Sequence, residues 1–320
     1  MRCIIITFIF FSTLFSKDYY EGDHLVKDGV YALYNYEFDR AVTLLTNARE
    51  KYPDHPGVHL IWVAARWVRS EANNSFEEAN ILLETDLILI QPVYEELVER
   101  FEYDQTYQLY RGSALGLSAR VTLGDKKWLK TFFRAYKGFS IIDDVAKKSP
   151  EIMDARLPIG IVEYYSAMSN ILIKWAVELY GLDASRDAGL NEMSMAANEG
   201  DWAWIEAKGI LSFLYLWVED EPILAFKHSK DLVAHFPKNF YFSNIFILFW
   251  KFLFFNFFFT IFILFSKVFI SFPKNYFISN IFIFFSRLFF FCKLLFFGFL
   301  SEHFDFLKNI GVLGQSNTFV

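Results

Sequence analysis

A short stretch near the start of the chain combines small residues with one large apolar residue at helical spacing. Ala41, Leu45 and Ala48 lie three and four positions apart, so they share one face of a helix. The two alanines allow a neighbouring backbone to approach closely, and Leu45 fills the space between the two helices. Gly29 serves the same purpose on the preceding helix, and Pro53 disfavours helix in the residue before it. These offsets predict a pair of antiparallel helices.

With Phe38 included, these residues resemble a tetratricopeptide (TPR) repeat, which places small residues where two helices cross and a proline where the second helix stops. Parts of the same spacing recur at three later places: Phe76, Ala79 and Leu83; Gly138, Ile142, Val145 and Pro150; Ala225, Ser229, Leu232 and Pro237. The copies are unequally spaced along the chain. The resemblance therefore implies a TPR-like array with irregular helices, which we assign to residues 17–238.

Apolar residues keep a helical period between the turn signals of residues 17–238. Breakers such as Gly124, Pro150, Gly181 and Pro222 divide this part into about ten helices. No convincing alternating strand pattern appears there. The sequence therefore predicts an all-α fold, built as a TPR-like array of antiparallel helical hairpins and followed by an atypical Phe-rich tail.

The resemblance also implies a function. TPR proteins are scaffolds that bind a peptide or protein partner in a groove, and the resemblance implies that this chain does the same without catalysis of its own. In that family the first helix of each hairpin lines the groove. Counted from Gly29, the implied groove positions are Asp23, Val26, Val30, Leu33 and Tyr34.

A second hypothesis makes the chain a helical enzyme or small-molecule binder. The polar groups of Asp154, Glu163, Tyr164 and Tyr165 would then line a pocket. A buried carboxylate that faces the tyrosine pair in a cavity would favour this hypothesis. A long open groove with scattered polar residues would favour the scaffold.

Residues that could hold a metal are few. His55 and His59 have a spacing that could place two ligands on one helical face, but Pro56 and Gly57 lie between them. We therefore predict a helix-entry loop with one histidine packed and the other solvated. No Gly-rich phosphate loop or nucleophile elbow is present in the sequence, and the prediction includes neither a cofactor nor a metal.

Two further patterns bear on the partner. Before His235 the chain has 24 Lys and Arg against 35 Asp and Glu, a net charge of −11. This sign argues against nucleic acid as the partner, because phosphate binding needs positive charge. The tryptophans are numerous, and two interpretations remain open: exposed anchors for a partner, or fillers of the wide spaces between long helices.

Residues 1–16 have the pattern of an export signal or anchor. Arg2 is followed by an apolar run that is too short to span a bilayer comfortably, and Ser16 precedes polar residues. The pattern predicts an exported protein that is periplasmic or associated with the envelope. Retention of the segment as a membrane anchor is the alternative.

The tail, residues 239–320, has a different composition. From Phe236 onward the chain has 28 of its 40 phenylalanines, no alanine, and no acidic residue before Glu302. One interpretation is a pair of membrane segments, 240–265 and 277–300, although Lys251 and Arg287 lie near their middles. Through them the protein would associate with a membrane.

A repeated phrase offers another interpretation of the tail. Phe236-Pro237-Lys238-Asn239 recurs 36 residues later as Phe272-Pro273-Lys274-Asn275, and each copy is soon followed by Ser-Asn-Ile-Phe-Ile. A tandem duplication in A/T-rich DNA, translated out of frame after a slip near codon 240, would give such a composition. A soluble Phe-rich core is the third interpretation.

Overall fold

The structure, a computed structural model, describes residues 19–124, 127–168 and 185–247. The chain divides into two compact units, one formed by Met1–Leu211 with Ala234–Asn239 and the other by Ser212–Val233 with Phe240–Val320. The described residues form helices and no strand. This confirms the all-α prediction.

Helices of the first unit pack as successive pairs along the chain. Their bounds are α1 (Asp23–Tyr34), α2 (Phe38–Lys51), α3 (Val58–Asn73), α4 (Phe76–Arg100), α5 (Gln105–Gly124), α6 (Trp128–Lys148), α7 (Arg156–Met168) and α8 (Arg186–Glu199). A short 3-10 helix, Met153–Ala155, precedes α7. Helices α9 (Trp204–Trp217) and α10 (Pro222–His235) follow, and each is shared between the two units. The described chain is thus a TPR-like array of helical hairpins, as the sequence predicted.

The first hairpin has the predicted crossing of small residues. Ala41, Leu45 and Ala48 have no exposed surface. A Cβ atom added to Gly29 would lie 2.5 Å from Cγ of Leu45. A side chain at position 29 would therefore displace the leucine. The spacing in the sequence predicted both the face of α2 and the residue that meets it.

A tight turn joins α1 to α2. The amide of Glu37 donates to the carbonyl of Ala32 at 2.9 Å, and the side chain of Asn35 donates to the carbonyl of Tyr31 at 3.0 Å. Tyr36 has a left-handed backbone with a φ of 62°, which is uncommon for a residue other than glycine. Residues 35–37 thus form the turn between the two helices.

Two later pairs cross through glycines. Between α5 and α6, a Cβ atom added to Gly138 would lie 2.4 Å from the backbone nitrogen of Gly116. Between α7 and α8, a Cβ atom added to Gly160 would lie 2.6 Å from the carbonyl oxygen of Gly189. These distances leave no space for a side chain, so the two backbones are in contact.

Local sequence explains where some helices begin. At the start of α4, Ser75 Oγ accepts from the amide of Glu78 and the Glu78 carboxylate accepts from the amide of Ser75 at 2.9 Å, which is a capping box. Ser185 Oγ accepts from the amide of Ala188 at the start of α8. Each contact satisfies an amide that the first turn leaves without a partner.

The second unit has its own aromatic contacts. The Tyr215 ring stacks on the His228 ring with centroids 6.0 Å apart. The Phe226 ring stacks on Phe246, 5.2 Å away, where the chain is helical over residues 240–247. Aromatic side chains therefore connect the two segments that form this unit.

Several sequence-based predictions lie outside the described residues. The export signal, residues 1–16, is one of them, and so is most of the tail after residue 247. The proposed membrane segments 240–265 and 277–300 fall largely in that part. Within the described residues, no helix has the length and apolar character needed to cross a membrane.

The glycine crossing between α5 and α6 gives a stability prediction. Gly138→Ala should lower the free energy of unfolding by about 1–3 kcal/mol, because the new methyl group would force two helix backbones apart. This value already includes the gain of up to about 1 kcal/mol that alanine brings to a helix interior. Urea unfolding followed by circular dichroism measures the difference.

Gly116→Ala on the facing helix is the matched control. A Cβ atom added to Gly116 meets nothing within 4 Å. This variant should leave the free energy of unfolding unchanged or raise it by up to about 1 kcal/mol. Equal stability of the two variants would contradict a backbone contact at Gly138.

Candidate functional site

The groove that the sequence implied on α1 is partly inside the protein. Asp23 and Val26 are buried, with 2% and 0% of their surface exposed. Val30 and Leu33 are partly buried and pack against the core of the first helices. Tyr34 is also partly exposed, and its hydroxyl donates to Glu206. Of the five positions, only the last three present surface to a partner, and their role in binding stays a prediction.

Asp23 is held by its own neighbours. Its Oδ2 accepts from the amides of Tyr19 at 2.7 Å and Tyr20 at 3.2 Å, and its Oδ1 lies 2.8 Å from Nε2 of His55. Burial raises the pKa of Asp23, but the hydrogen bond from His55 and the two amides outweigh it, and the pKa is lowered from its usual value. Both oxygens of this carboxylate are engaged.

The Asp23–His55 pair resembles the acid–base pairs of enzymes. However, Nδ1 of His55 accepts from the amides of Gly57 and Val58, each at 3.1 Å. These two donors fix the tautomer, so that Nε2–H donates to Asp23. Because neither ring nitrogen is left to move a proton, we assign the pair a structural role at the start of α3.

The second histidine, His59, lies in the first turn of α3, and its burial contradicts a prediction. The sequence predicted one packed and one solvated histidine, but His55 and His59 are each only 3% exposed. Nε2 of His59 lies 2.7 Å from the carbonyl oxygen of Pro53, and Nδ1 accepts from Nε of Arg49 at 3.0 Å. Burial lowers the pKa of His59 to about 4. The sequence could not show this, because the burial comes from neighbouring helices.

Two tyrosines tie the same loop to α4 and α5. The Tyr94 hydroxyl donates to the carbonyl of Pro56 at 2.9 Å, and the Tyr107 hydroxyl donates to the carbonyl of Asp54 at 2.8 Å. Burial, with help from neighbouring carboxylates, raises the pKa of Tyr107 to about 12. These phenols therefore stay protonated and act as donors to the backbone.

Asp154, the central carboxylate of the alternative pocket, has a structural role. Asp154 accepts from the amides of Trp202 and Ala203, both at 3.0–3.2 Å, just before α9 begins. Burial raises the pKa of Asp154, although these amides oppose the shift. Asp154 thus satisfies the amides that precede a helix and favours its first turn.

The remaining members of that pocket do not share one environment. Tyr164 has no exposed surface, whereas 49% of Tyr165 is exposed. Glu163 lies between these extremes. The two tyrosine rings contact each other edge to face, with centroids 5.5 Å apart, but only the Tyr165 ring reaches the surface.

Trp62 fills space between helices of the array. Trp62 is 6% exposed, and the guanidinium groups of Arg49 and Arg66 lie 4.3 Å and 4.6 Å from the centre of its ring. Its Nε1 donates to Thr46 at 3.0 Å. Of the two interpretations, packing between helices therefore holds for this residue.

An open cleft of about 260 Å³ lies between α4, α5 and α6. It is lined by Glu84, Leu87, Ile88, Gln91, Tyr94, Glu95, Arg111, Ala114, Leu115, Ser118, Val121, Arg134 and Lys137. Its floor is apolar, since Leu87, Tyr94 and Val121 are all buried. The sequence did not predict this cleft. The available signal was the run of apolar residues on α4, of which Ile88 remains 64% exposed.

Charges of both signs surround the cleft. Arg134 donates to the carbonyl of Ser118 at 3.0 Å and pairs with Glu84 at 3.5 Å. Arg111 donates to Gln108 at 3.3 Å. The ammonium of Lys137 is exposed and has no ion pair among the described residues. The lining thus has three cations and two carboxylates.

A proline adds a backbone acceptor at the cleft. Pro92 lies inside α4 and has no N–H. The carbonyl four residues earlier belongs to Ile88, which lines the cleft, and it therefore lacks its regular partner in the helix. Such a carbonyl can accept a hydrogen bond from the backbone of a bound peptide.

Metal binding finds no support in the described part of the chain. There, no three side chains of His, Cys, Asp or Glu lie close enough to hold an ion.

Comparisons with known proteins add one structural similarity. No family model and no curated protein matches the chain. Among solved structures, the chain is similar to TTC0263, a thermophilic TPR protein from Thermus thermophilus, with 16% identity and a TM-score of 0.41. The similar region covers 71% of this chain and 98% of that one. At this identity and score the similarity carries no argument about function. The TPR-like architecture rests on the hairpins described above.

Burial of His59 predicts a loss of stability in acid. An unfolded chain binds a proton at this histidine below pH 6.5, whereas the folded protein does so only below about 4. Between these values the unfolded state binds more protons, so the free energy of unfolding falls as the pH falls. From pH 7 to pH 5 this histidine should account for a loss of about 2 kcal/mol.

The measurement is urea unfolding at the two pH values for wild type and His59→Gln. The variant should lose less stability in acid, since its amide keeps hydrogen-bonding capacity without titrating. His24→Gln is the matched control, because His24 is exposed, and it should keep the wild-type dependence. The same pH dependence in wild type and His59→Gln would contradict the assignment.

Proposed function

We propose that this chain is a scaffold which binds an extended segment of a protein partner in the cleft between α4, α5 and α6. The observation that carries the proposal is the combination of an apolar floor with a charged rim in one concave site. Peptide-binding grooves commonly take apolar anchors in their centre and use the rim for orientation. A binding function without catalysis also agrees with the Asp23–His55 pair, because both ring nitrogens of His55 are already hydrogen-bonded within the protein.

Charge favours a partner segment with an acidic residue. The part of the chain before His235 has a net charge of −11, yet the cleft is lined by Arg111, Arg134 and Lys137 against only two carboxylates. Guanidinium groups bind carboxylates through paired hydrogen bonds. An acidic side chain on the partner would therefore find positive charge here and repulsion over much of the remaining surface.

The size of the cleft limits the partner further. About 260 Å³ is just below the usual volume of ligand sites and has room for one or two large side chains. The carbonyl of Ile88 offers an acceptor for a backbone N–H beside them. We therefore propose an anchor of one or two apolar residues next to an aspartate or glutamate.

The test is selection of peptides from a random library displayed on phage, with the full chain as target. Selected peptides should share an acidic residue beside apolar ones. Ile88→Asp should weaken their binding at least about tenfold, because it places a negative charge at the apolar part of the cleft. Fluorescence anisotropy with synthetic versions of the selected peptides measures the change.

Ile81→Asp is the matched control. Ile81 lies on the same helix and is 60% exposed, against 64% for Ile88, but it does not line the cleft. It should change the affinity by less than about twofold. Equal weakening by both variants, or selection of peptides that bind both as tightly as wild type, would overturn the assignment of the site.

We also propose that the scaffold is exported, to the periplasm or the envelope. The support is Arg2 followed by the apolar run in residues 1–16. N-terminal sequencing of the mature protein should find a start near Lys17. A mature chain that begins at Met1 would contradict cleavage and favour the alternative, a retained membrane anchor.

A further inference from the structure

A four-residue segment of the chain is bound to the turn between α1 and α2. This FPKN segment is Phe236-Pro237-Lys238-Asn239, and it belongs to the same compact unit as the turn. The Phe236 ring is only 3% exposed. It contacts three aromatic rings, with centroids at 5.3 Å to Tyr34, 5.7 Å to Tyr31 and 6.0 Å to Trp204.

Polar contacts to the α1–α2 turn extend along the rest of the segment. The Lys238 ammonium pairs with the Glu37 carboxylate at 2.7 Å, and the Lys238 amide donates to Oδ1 of Asn35 at 3.2 Å. The hydrogen bond from the Lys238 side chain lowers the pKa of Glu37, with a smaller contribution from the hydrogen bond of Arg40. The aromatic pocket thus recognises Phe236, and the Glu37 carboxylate and the Asn35 amide oxygen recognise Lys238.

Asn239 completes the set. Its Nδ2 donates to the carbonyl of Tyr34 at 2.8 Å, and its Oδ1 accepts from the hydroxyl of Tyr36 at 3.2 Å. Tyr36 is the residue with the left-handed backbone. An uncommon backbone conformation persists where surrounding contacts support it, and such positions are frequent at binding sites. We call the receptor residues Tyr31, Tyr34, Asn35, Tyr36, Glu37 and Trp204 the turn site.

The sequence contains this ligand twice. Phe272-Pro273-Lys274-Asn275 repeats the FPKN segment residue for residue. The second copy lies outside the described residues. Because the contacts above are made by the Phe, Lys and Asn side chains and by one amide of the segment, the turn site offers both copies the same interactions.

We propose that the turn site is a receptor for the sequence Phe-Pro-Lys-Asn, and that residues 272–275 are a second occupant which replaces residues 236–239 there. The first copy follows directly on α10 and is held close to the site. Its high effective concentration favours it over the second copy while it is intact. Exchange within one chain leaves a monomer, whereas exchange between two chains links them.

The experiment uses a fluorescent peptide with the sequence of residues 270–277 and three forms of the full chain. They are wild type, a first-copy variant with Phe236→Ala and Lys238→Glu, and a double-copy variant that also has Phe272→Ala and Lys274→Glu. The double-copy variant should bind the peptide at least about tenfold more tightly than wild type, because neither internal ligand competes. The first-copy variant should lie between them, since its second copy still competes.

A charge exchange makes the test specific to the turn site. A peptide with glutamate in place of its lysine should fail to bind the double-copy variant. It should regain binding when Glu37→Lys is combined with a double-copy variant that has Lys238→Ala and Lys274→Ala instead of the two glutamate substitutions, because opposite charges are then restored for the peptide alone. Circular dichroism confirms that each variant keeps its helices, and Lys238→Glu alone, with the aromatic contact intact, provides a milder first-copy variant.

Two results would overturn the proposal. If the peptide binds none of the folded variants, the turn site is not a receptor for this sequence. If it binds the first-copy and double-copy variants equally well, residues 272–275 are not an occupant.

Sedimentation of the first-copy variant at increasing concentration distinguishes exchange within a chain from exchange between chains. These outcomes do not depend on the α4–α6 cleft, so Ile88→Asp should leave them unchanged.

Discussion

The array depends on the close approach of helix backbones within each hairpin. Such contact is available only where one residue of the pair lacks a side chain or has a methyl group, and this chain places Ala41 and Ala48 at one crossing. At Gly138 and Gly160 the approach is closer still, with backbone atoms where a Cβ would lie. Large apolar residues then fill the spaces between successive pairs, so the core forms only if the crossings do.

Polar side chains with the appearance of catalytic groups are used to hold the helices in place. The loop between α2 and α3 is fixed by the Asp23–His55 pair and by the hydroxyl of Tyr94. Asp154 holds the start of α9 in the same way. Buried polar groups must be paired, and here each pairing uses the atom that a chemical step would need.

The two surfaces for which we propose binding are places where charge and apolar area occur together. The α4–α6 cleft places Ile88 beside arginine and lysine side chains in an acidic protein. The turn site places Glu37 beside an aromatic pocket that contains Phe236. At protein interfaces in general, apolar contact supplies affinity and charge supplies specificity, and both proposals rest on that division.

The sequence by itself determined what depends on neighbours three or four positions away. The helical period, the face of α2 with Leu45 and the crossing position of Gly138 all follow from local spacing. Only the tertiary structure decided the burial of His59, the engagement of Asp23 and the capping role of Asp154, because their partners lie on other elements. Asp23 and His55 are 32 residues apart, and Asp154 and Trp202 are 48 apart. The cleft likewise exists only where three helices meet, and no periodicity within one helix can indicate it.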